Sequence, residues 1–211
     1  GFAASRVLGG VVFSLGLLLV VVAGAELFTG NNLLVMAWAD GRIATRELLR
    51  NWIVVCLANF VGAAALALLV WMSSHTSMNS GRVAEQVVRI AAAKCAAPAD
   101  QLFFNGVLCN ILVCMAMWMA MAGRSVIDKA VAIVFPISAF VAAGFEHSIA
   151  NMYLMPLAML VQPANAATLV TWSGMAANLA FVIAGNLVGG SVLVALVYYV
   201  IYVRRPGPDG R

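Results

Sequence analysis

Two carboxylates stand where lipid should be. Glu26 and Glu146 each follow a long apolar run, in Ala23-Gly24-Ala25-Glu26-Leu27-Phe28-Thr29-Gly30-Asn31 and Ala143-Gly144-Phe145-Glu146-His147-Ser148-Ile149-Ala150-Asn151. Both segments read A-G-x-E-x4-N. A bare carboxylate at membrane depth costs at least about 2.5–3.5 kcal/mol. Each glutamate therefore needs partners, such as N–H groups or hydroxyls at a helix break, and Glu26, Glu146 and Asn151 read as supports of such breaks. His147 sets an imidazole beside the second carboxylate. It is the only histidine expected at membrane depth, since His75 falls in a polar loop. An imidazole so placed can hydrogen-bond a small anion or exchange a proton with it; a core histidine satisfied by the backbone is the plainer reading. Thr29 offers a hydroxyl at the corresponding break of the first motif. Asn110 and Asn186 lie inside apolar runs, where each either fixes a loop or faces a pore. Lys94, in Ala-Ala-Ala-Lys-Cys-Ala-Ala-Pro, either holds an anion at a pore mouth or snorkels to the interface. Phe13, Leu17, Leu27, Phe28 and Phe140 flank the motifs. Bulky apolar residues there serve core packing or a hydrophobic constriction.

The elements that must position these residues follow from the apolar runs. A crossing helix needs about 20 apolar residues, and five runs qualify: 7–25, 52–72, 102–122, 130–145 and 175–203. Two shorter runs, 33–39 and 152–161, follow the two A-G-x-E motifs and can each finish a crossing begun by the run before it. The first and fourth spans are thus expected to be broken, at 26–32 and 146–151. Gly24, Gly30, Asn31 and Asn32 lower helix propensity around the first break. Unwound backbone in a membrane is tolerated only where it is buried in protein or lines a cavity, so two breaks imply a pathway or a binding site.

A second duplication supports two related halves. Asn51…Asn59-Phe60-Val61-Gly62 and Asn178…Asn186-Leu187-Val188-Gly189 both read N-x7-N-x2-G. The second half has the order straight, broken, straight helix; the first has only broken, straight. The expectation is an all-α membrane protein with five of six spans present, the first span being absent from an N-terminally truncated chain. An odd number of spans per half makes the repeat inverted. One transmembrane channel domain covers 1–211: a first half-repeat about 1–72, an outer loop 73–101 with a helical stretch 83–93, a second half-repeat about 102–203 and a tail 204–211.

Composition narrows the class. Hydrophobic residues make up 64% of the chain, charged residues 9%, and the mean hydropathy is +1.01; a soluble chain carries roughly 25% charged residues. The net charge of +4 is assigned to cytoplasmic loops, and without a basic patch interleaved with aromatics no nucleic-acid partner is expected. Cys56, Cys95, Cys109 and Cys114 show no CxxC spacing and read as packing residues; no metal or other cofactor is expected. A membrane-anchor subunit holding haem would need a second histidine beside His147 at membrane depth, and a structural oligomer without a pore leaves the two breaks without a purpose.

Basic residues orient the chain. Arg42, Arg46 and Arg50, then Arg124 and Lys129, then Arg204, Arg205 and Arg211 occupy three segments that the positive-inside rule puts in the cytoplasm, while 162–177 carries no Lys or Arg. The expectation is a multi-pass protein of the cell's inner (plasma) membrane, its C-terminus cytoplasmic. The apolar start is too long for a signal peptide and lacks its flanks.

Four runs carry a resemblance. Ala25-Glu26-Leu27-Phe28-Thr29-Gly30, Leu102-Phe103-Phe104-Asn105-Gly106-Val107-Leu108-Cys109-Asn110, Phe145-Glu146-His147-Ser148-Ile149-Ala150-Asn151-Met152 and Gly185-Asn186-Leu187-Val188-Gly189-Gly190 resemble the formate/nitrite transporter family, and the similarity extends from Phe2 to about Tyr202. The resemblance implies an aquaporin-like inverted-repeat helical bundle, a homopentamer with one pore per protomer, and passage of small weak-acid anions: formate or nitrite, with hydrosulfide as an alternative, together with protons. It implies that His147 is the central pore histidine, Thr29 the threonine of the first broken helix, Lys94 the vestibule lysine, and Asn110 and Asn186 pore-lining asparagines. It makes Phe13, Leu17, Leu27 and Phe140 residues of two hydrophobic constrictions, with Phe28 beside them. No covalent chemistry is implied.

Overall fold

The structure is a computed structural model that describes residues 1–164 and 169–204. Its helices are α1 (Phe2–Ala23), α2 (Leu34–Ala39), α3 (Thr45–Met72), α4 (Arg82–Ala96), α5 (Ala99–Ala122), α6 (Val126–Ala143), α7 (Ser148–Val161) and α8 (Trp172–Leu187). A tight 3-10 turn, Gly30–Leu33, leads into α2, and α8 continues through wider π-type turns at Val188–Leu196 and Tyr199–Val203. Among the described residues, five helical stretches are long and apolar enough to cross a membrane: α1, α3, α5, α6, and α8 with its continuation. They coincide with the five expected spans but begin three to seven residues earlier. Polar first turns account for the extra length. In α3 the Glu47 carboxylate accepts the Ala44 N–H at 2.8 Å, and in α6 Ser125 and Asp128 form a reciprocal capping box.

Both broken spans stop on a glycine. Gly24 and Gly144 take φ of 74° and 81°, the left-handed conformation that ends a helix without strain when there is no Cβ. After the breaks the halves diverge from expectation. The first break, expected over 26–32, gives way to the 3-10 turn at Gly30, where the Asn31 N–H reaches the Leu27 carbonyl at 2.8 Å. The second, expected over 146–151, is shorter, because α7 resumes at Ser148. His147 is the reason: its Nδ1 accepts the Ala150 N–H at 3.1 Å and its carbonyl accepts the Asn151 N–H at 3.0 Å, so one residue satisfies the new helix's first turn. The expected helical stretch 83–93 is α4, longer at both ends.

The two halves interleave. The broken span of the first half, α1, lies antiparallel along that of the second, α6: Arg6 meets Ala142, Gly10 meets Ser138 and Phe13 meets Phe140. α3 packs on α7, and α5 packs on α8. Leu17, Val113, Ile133, Ile137 and Phe140 fill the centre between α1, α5 and α6. The outward faces are apolar too, with Leu8, Val12, Leu57, Val61, Ile127 and Phe135 exposed, which suits lipid rather than water as the surrounding solvent. Cys109 and Cys114 are fully buried among apolar side chains, as packing residues should be.

The α5–α8 contact is a small-residue seam of the kind that lets membrane helices touch backbone to backbone. A Cβ on Gly106 would lie 2.9 Å from the Val182 carbonyl oxygen, and one on Gly185 or Gly189 would collide with the carbonyl of Phe103 or Val107. Gly62, which matches Gly189 in the repeat, has open space around it. Gly189→Ala should therefore destabilise the chain by about 1–3 kcal/mol through overpacking, while Gly62→Ala should be neutral or slightly stabilising through helix propensity. Thermal unfolding of the two variants in detergent checks this; equal midpoints would contradict the seam.

Candidate permeation site at the two helix breaks

The duplicated motifs fold into duplicated hydrogen-bond clamps. In the first half Asn31 Nδ2 donates to the Glu26 carboxylate and, at 2.9 Å, to Asn51 Oδ1. Asn59 accepts the Phe28 N–H at 2.9 Å and donates to the Glu26 carbonyl at 3.0 Å. In the second half Asn151 Nδ2 donates to Glu146 Oε2 at 2.7 Å and to Asn178 Oδ1 at 2.8 Å. Asn186 accepts the Ser148 N–H at 3.0 Å and donates to the Glu146 carbonyl at 3.0 Å. The spacing N-x7-N has a physical purpose. It sets two amides about 12 Å apart along one helix; one holds the asparagine that closes A-G-x-E-x4-N, the other the unwound backbone behind the glutamate. Asn51, Asn59 and Asn178 thus share the work of Glu26, Glu146 and Asn151. Their repeat was visible in the sequence, although their role was not.

The clamps differ in one respect. Glu146 is buried, and its Oε1 takes the Lys94 ammonium at 2.7 Å. Glu26 is exposed and has no cation within ion-pair distance among the described residues. Lys94 does not snorkel outward. It turns in from the last turn of α4, its side chain only 18% exposed, and the Lys94 carbonyl accepts the Asn178 amide at 3.0 Å.

His147 stands at the meeting point of the two breaks. Its Nε2 lies 3.1 Å from the Thr29 hydroxyl, a contact across 118 residues of sequence between the first motif and the second. With Nδ1 occupied by the Ala150 N–H, the neutral ring carries its proton on Nε2 and donates it to Thr29 Oγ1. Thr29 keeps its own hydroxyl proton to offer elsewhere. Phe140 stacks on the imidazole at 5.8 Å and Phe13 meets it edge-on at 6.4 Å. A cavity of about 1510 Å³ reaches this point; Phe13, Leu17, Leu27, Phe140, Lys94 and His147 are all in its wall.

Asn110, Asn186 and Phe28, read from the sequence as pathway or constriction residues, are not in the wall of this cavity. All three are buried and none lines the cavity. Asn110 Nδ2 donates to the carbonyls of Thr29 at 3.2 Å and Asn186 at 2.7 Å, and Asn186 Nδ2 also reaches the Gly106 carbonyl at 2.8 Å. Asn32 joins them through the Asn186 carbonyl at 3.3 Å, and Cys114 Sγ approaches the Thr29 carbonyl at 3.3 Å. Through these bonds to backbone carbonyls the amides position the loops. Thr29 is equally buried, and its hydroxyl meets His147 Nε2, whose residue lines the cavity.

Asn186→Ala removes three side-chain bonds from fully buried partners. At roughly 0.6–2 kcal/mol each for bonds inside membrane proteins, the expected loss is about 2–6 kcal/mol. Asn59→Ala removes two bonds at a half-buried site and should cost less. Unfolding midpoints of the two variants in detergent check the order; a reversed order would contradict the assignment of Asn186 as the tie.

Comparison with known proteins accords with this geometry. The family described as "Formate/nitrite transporter" matches residues 2–200. The chain is 40% identical to the formate channel FocA of Escherichia coli strain K12, over 97% of this chain and 76% of that protein. It is 37% identical to a probable formate transporter of Methanothermobacter thermautotrophicus, over 93% and 75%. Among solved structures, a pentameric formate channel with formate bound superposes with a TM-score of 0.86 at 35% identity, over 97% of this chain and 86% of that chain. The chain therefore belongs to the formate/nitrite transporter family, multi-pass membrane channels and transporters rather than enzymes.

Proposed function

We propose that this protein conducts small monovalent weak-acid anions through the cavity that ends at His147, with formate as the first permeant. Nitrite and hydrosulfide are the alternatives within the same chemistry. The observation that carries the reading is the Nε2–Oγ1 contact between His147 and Thr29: a polar pair joins the two helix breaks inside a wall of Phe13, Leu17, Leu27 and Phe140. The preference for formate rests on relatives named as formate channels, and the homopentameric state on the pentameric channel that the fold matches. The protein is read as one channel domain in the inner (plasma) membrane with the C-terminus cytoplasmic; of that tail, residues 205–211 lie outside the described residues.

The proposed passage has three stages. Lys94 adds positive field to the cavity, tempered by its bond to Glu146. The anion then meets the apolar wall, which a charged species crosses poorly. There the neutral acid passes more easily, its proton coming from water, while the donor chain His147 Nε2–H to Thr29 O–H offers it a hydrogen bond. An imidazolium pairing with the passing anion is the less favoured route, because a second ring proton would have to displace the Ala150 N–H from Nδ1. Since the protonated fraction of a weak acid falls as pH rises, flux should fall with it.

Formate, nitrite and hydrosulfide flux into proteoliposomes across a pH series tests this, with His147→Asn as the variant. Asparagine is a good N-cap, so the start of α7 is kept while the imidazole is lost. Losing a donor worth about 1.4 kcal/mol in the crossing step would slow flux about tenfold and flatten its pH dependence. Unchanged flux in His147→Asn would remove the imidazole from the mechanism.

A further inference from the structure

We infer that Arg6, on the second turn of α1, is a second anion-binding cation of the cavity and that its guanidinium selects planar anions with two oxygens over single-atom anions. The inference rests on the conduction reading above and deepens it. Arg6 lines the same cavity as His147 and Lys94. The acidic side chain in that wall, Glu146, is already met by Lys94 at 2.7 Å. Arg89, the other arginine of the wall, is exposed and donates to the amide oxygen of Gln86. Arg6 is half-buried, and among the described residues it has no carboxylate within ion-pair distance.

Its position is fixed by backbone. The Nε–H donates to the Ala142 carbonyl at 3.3 Å, and the guanidinium lies over Gly144, where an added Cβ would fall 2.7 Å from Nη2. The Phe2 ring flanks the guanidinium carbon at 5.9 Å. Nε is thus the one nitrogen of the fork with a protein acceptor among the described residues. A guanidinium so held offers its remaining N–H groups in one plane, the arrangement that grips a carboxylate by both oxygens. Formate and nitrite each present two oxygens at that spacing. Hydrosulfide and chloride present one atom and gain only the charge. A purely structural role would be to cap the C-terminal carbonyls of α6.

The experiment measures formate binding to purified protein by saturation-transfer NMR, alongside proteoliposome flux of formate and hydrosulfide, for the wild type, Arg6→Gln and Arg6→Lys. Arg6→Gln should weaken formate binding about fivefold, in the range of a partly exposed charge-assisted contact, and raise the half-saturating formate concentration to match. Hydrosulfide flux in Arg6→Gln should fall by less than half as much. Arg6→Lys should restore hydrosulfide flux and only part of the formate affinity. Unchanged formate binding in Arg6→Gln overturns the inference. So does an equal loss for both anions together with a lowered unfolding midpoint, the signature of a cap alone. If the wild type binds formate through Arg6 but does not pass it, the conduction reading fails and the site stands.

Discussion

The rest of the structure depends on one constraint: two stretches of unwound backbone must be satisfied where there is no water to do it. A free N–H or C=O at membrane depth costs several kcal/mol. The chain meets that demand with amide side chains, each able to give and take at once. Asn59 and Asn186 each accept one backbone N–H and donate to one backbone C=O of the break they face. Asn31 and Asn151 each donate to the carboxylate of their glutamate and to a facing asparagine. The carboxylates are therefore part of the scaffold that makes the breaks affordable. The proposed site is the place between the breaks where Thr29 and His147 meet.

Duplication explains the plan and divergence explains the function. The clamps share four matching bonds, yet the second half alone adds a histidine after its glutamate and a lysine upon it. Where the second motif has His147, the first has Leu27, which lines the cavity as an apolar wall. The same backbone solution thus supplies a polar face from one half and an apolar face from the other. In the proposed passage, that combination is what both attracts an anion and refuses it while charged.

Much of this was legible in the sequence. Glycines and asparagines after apolar runs located the breaks, because their low helix propensity is a local property. The repeat of A-G-x-E-x4-N and N-x7-N-x2-G located both halves of each clamp. What spacing could not give was docking between helices. Asn110 and Asn186 carry the same polar signal whether they face a pore or a neighbouring carbonyl, and the choice is made by helices α5 and α8 touching at Gly106, Gly185 and Gly189. The early start of α7 turned on one rotamer of His147, and the role of Arg6 on a contact with Ala142, far away in sequence. Both are tertiary facts.

The carbonyl of Asn186 has a last implication. It accepts amides from Asn110 on α5 and from Asn32 beside the first break, while the side chain of Asn186 holds the second. The two halves are stitched together at the level of the site itself. A carrier that alternates its access by rocking one repeat against the other needs a slip plane there, and here such a plane would have to break the bonds that cross between the halves, from Asn32 to the Asn186 carbonyl, from Asn110 to the Thr29 carbonyl and between Thr29 and His147. The halves meet there through hydrogen bonds between polar groups rather than across a smooth apolar surface.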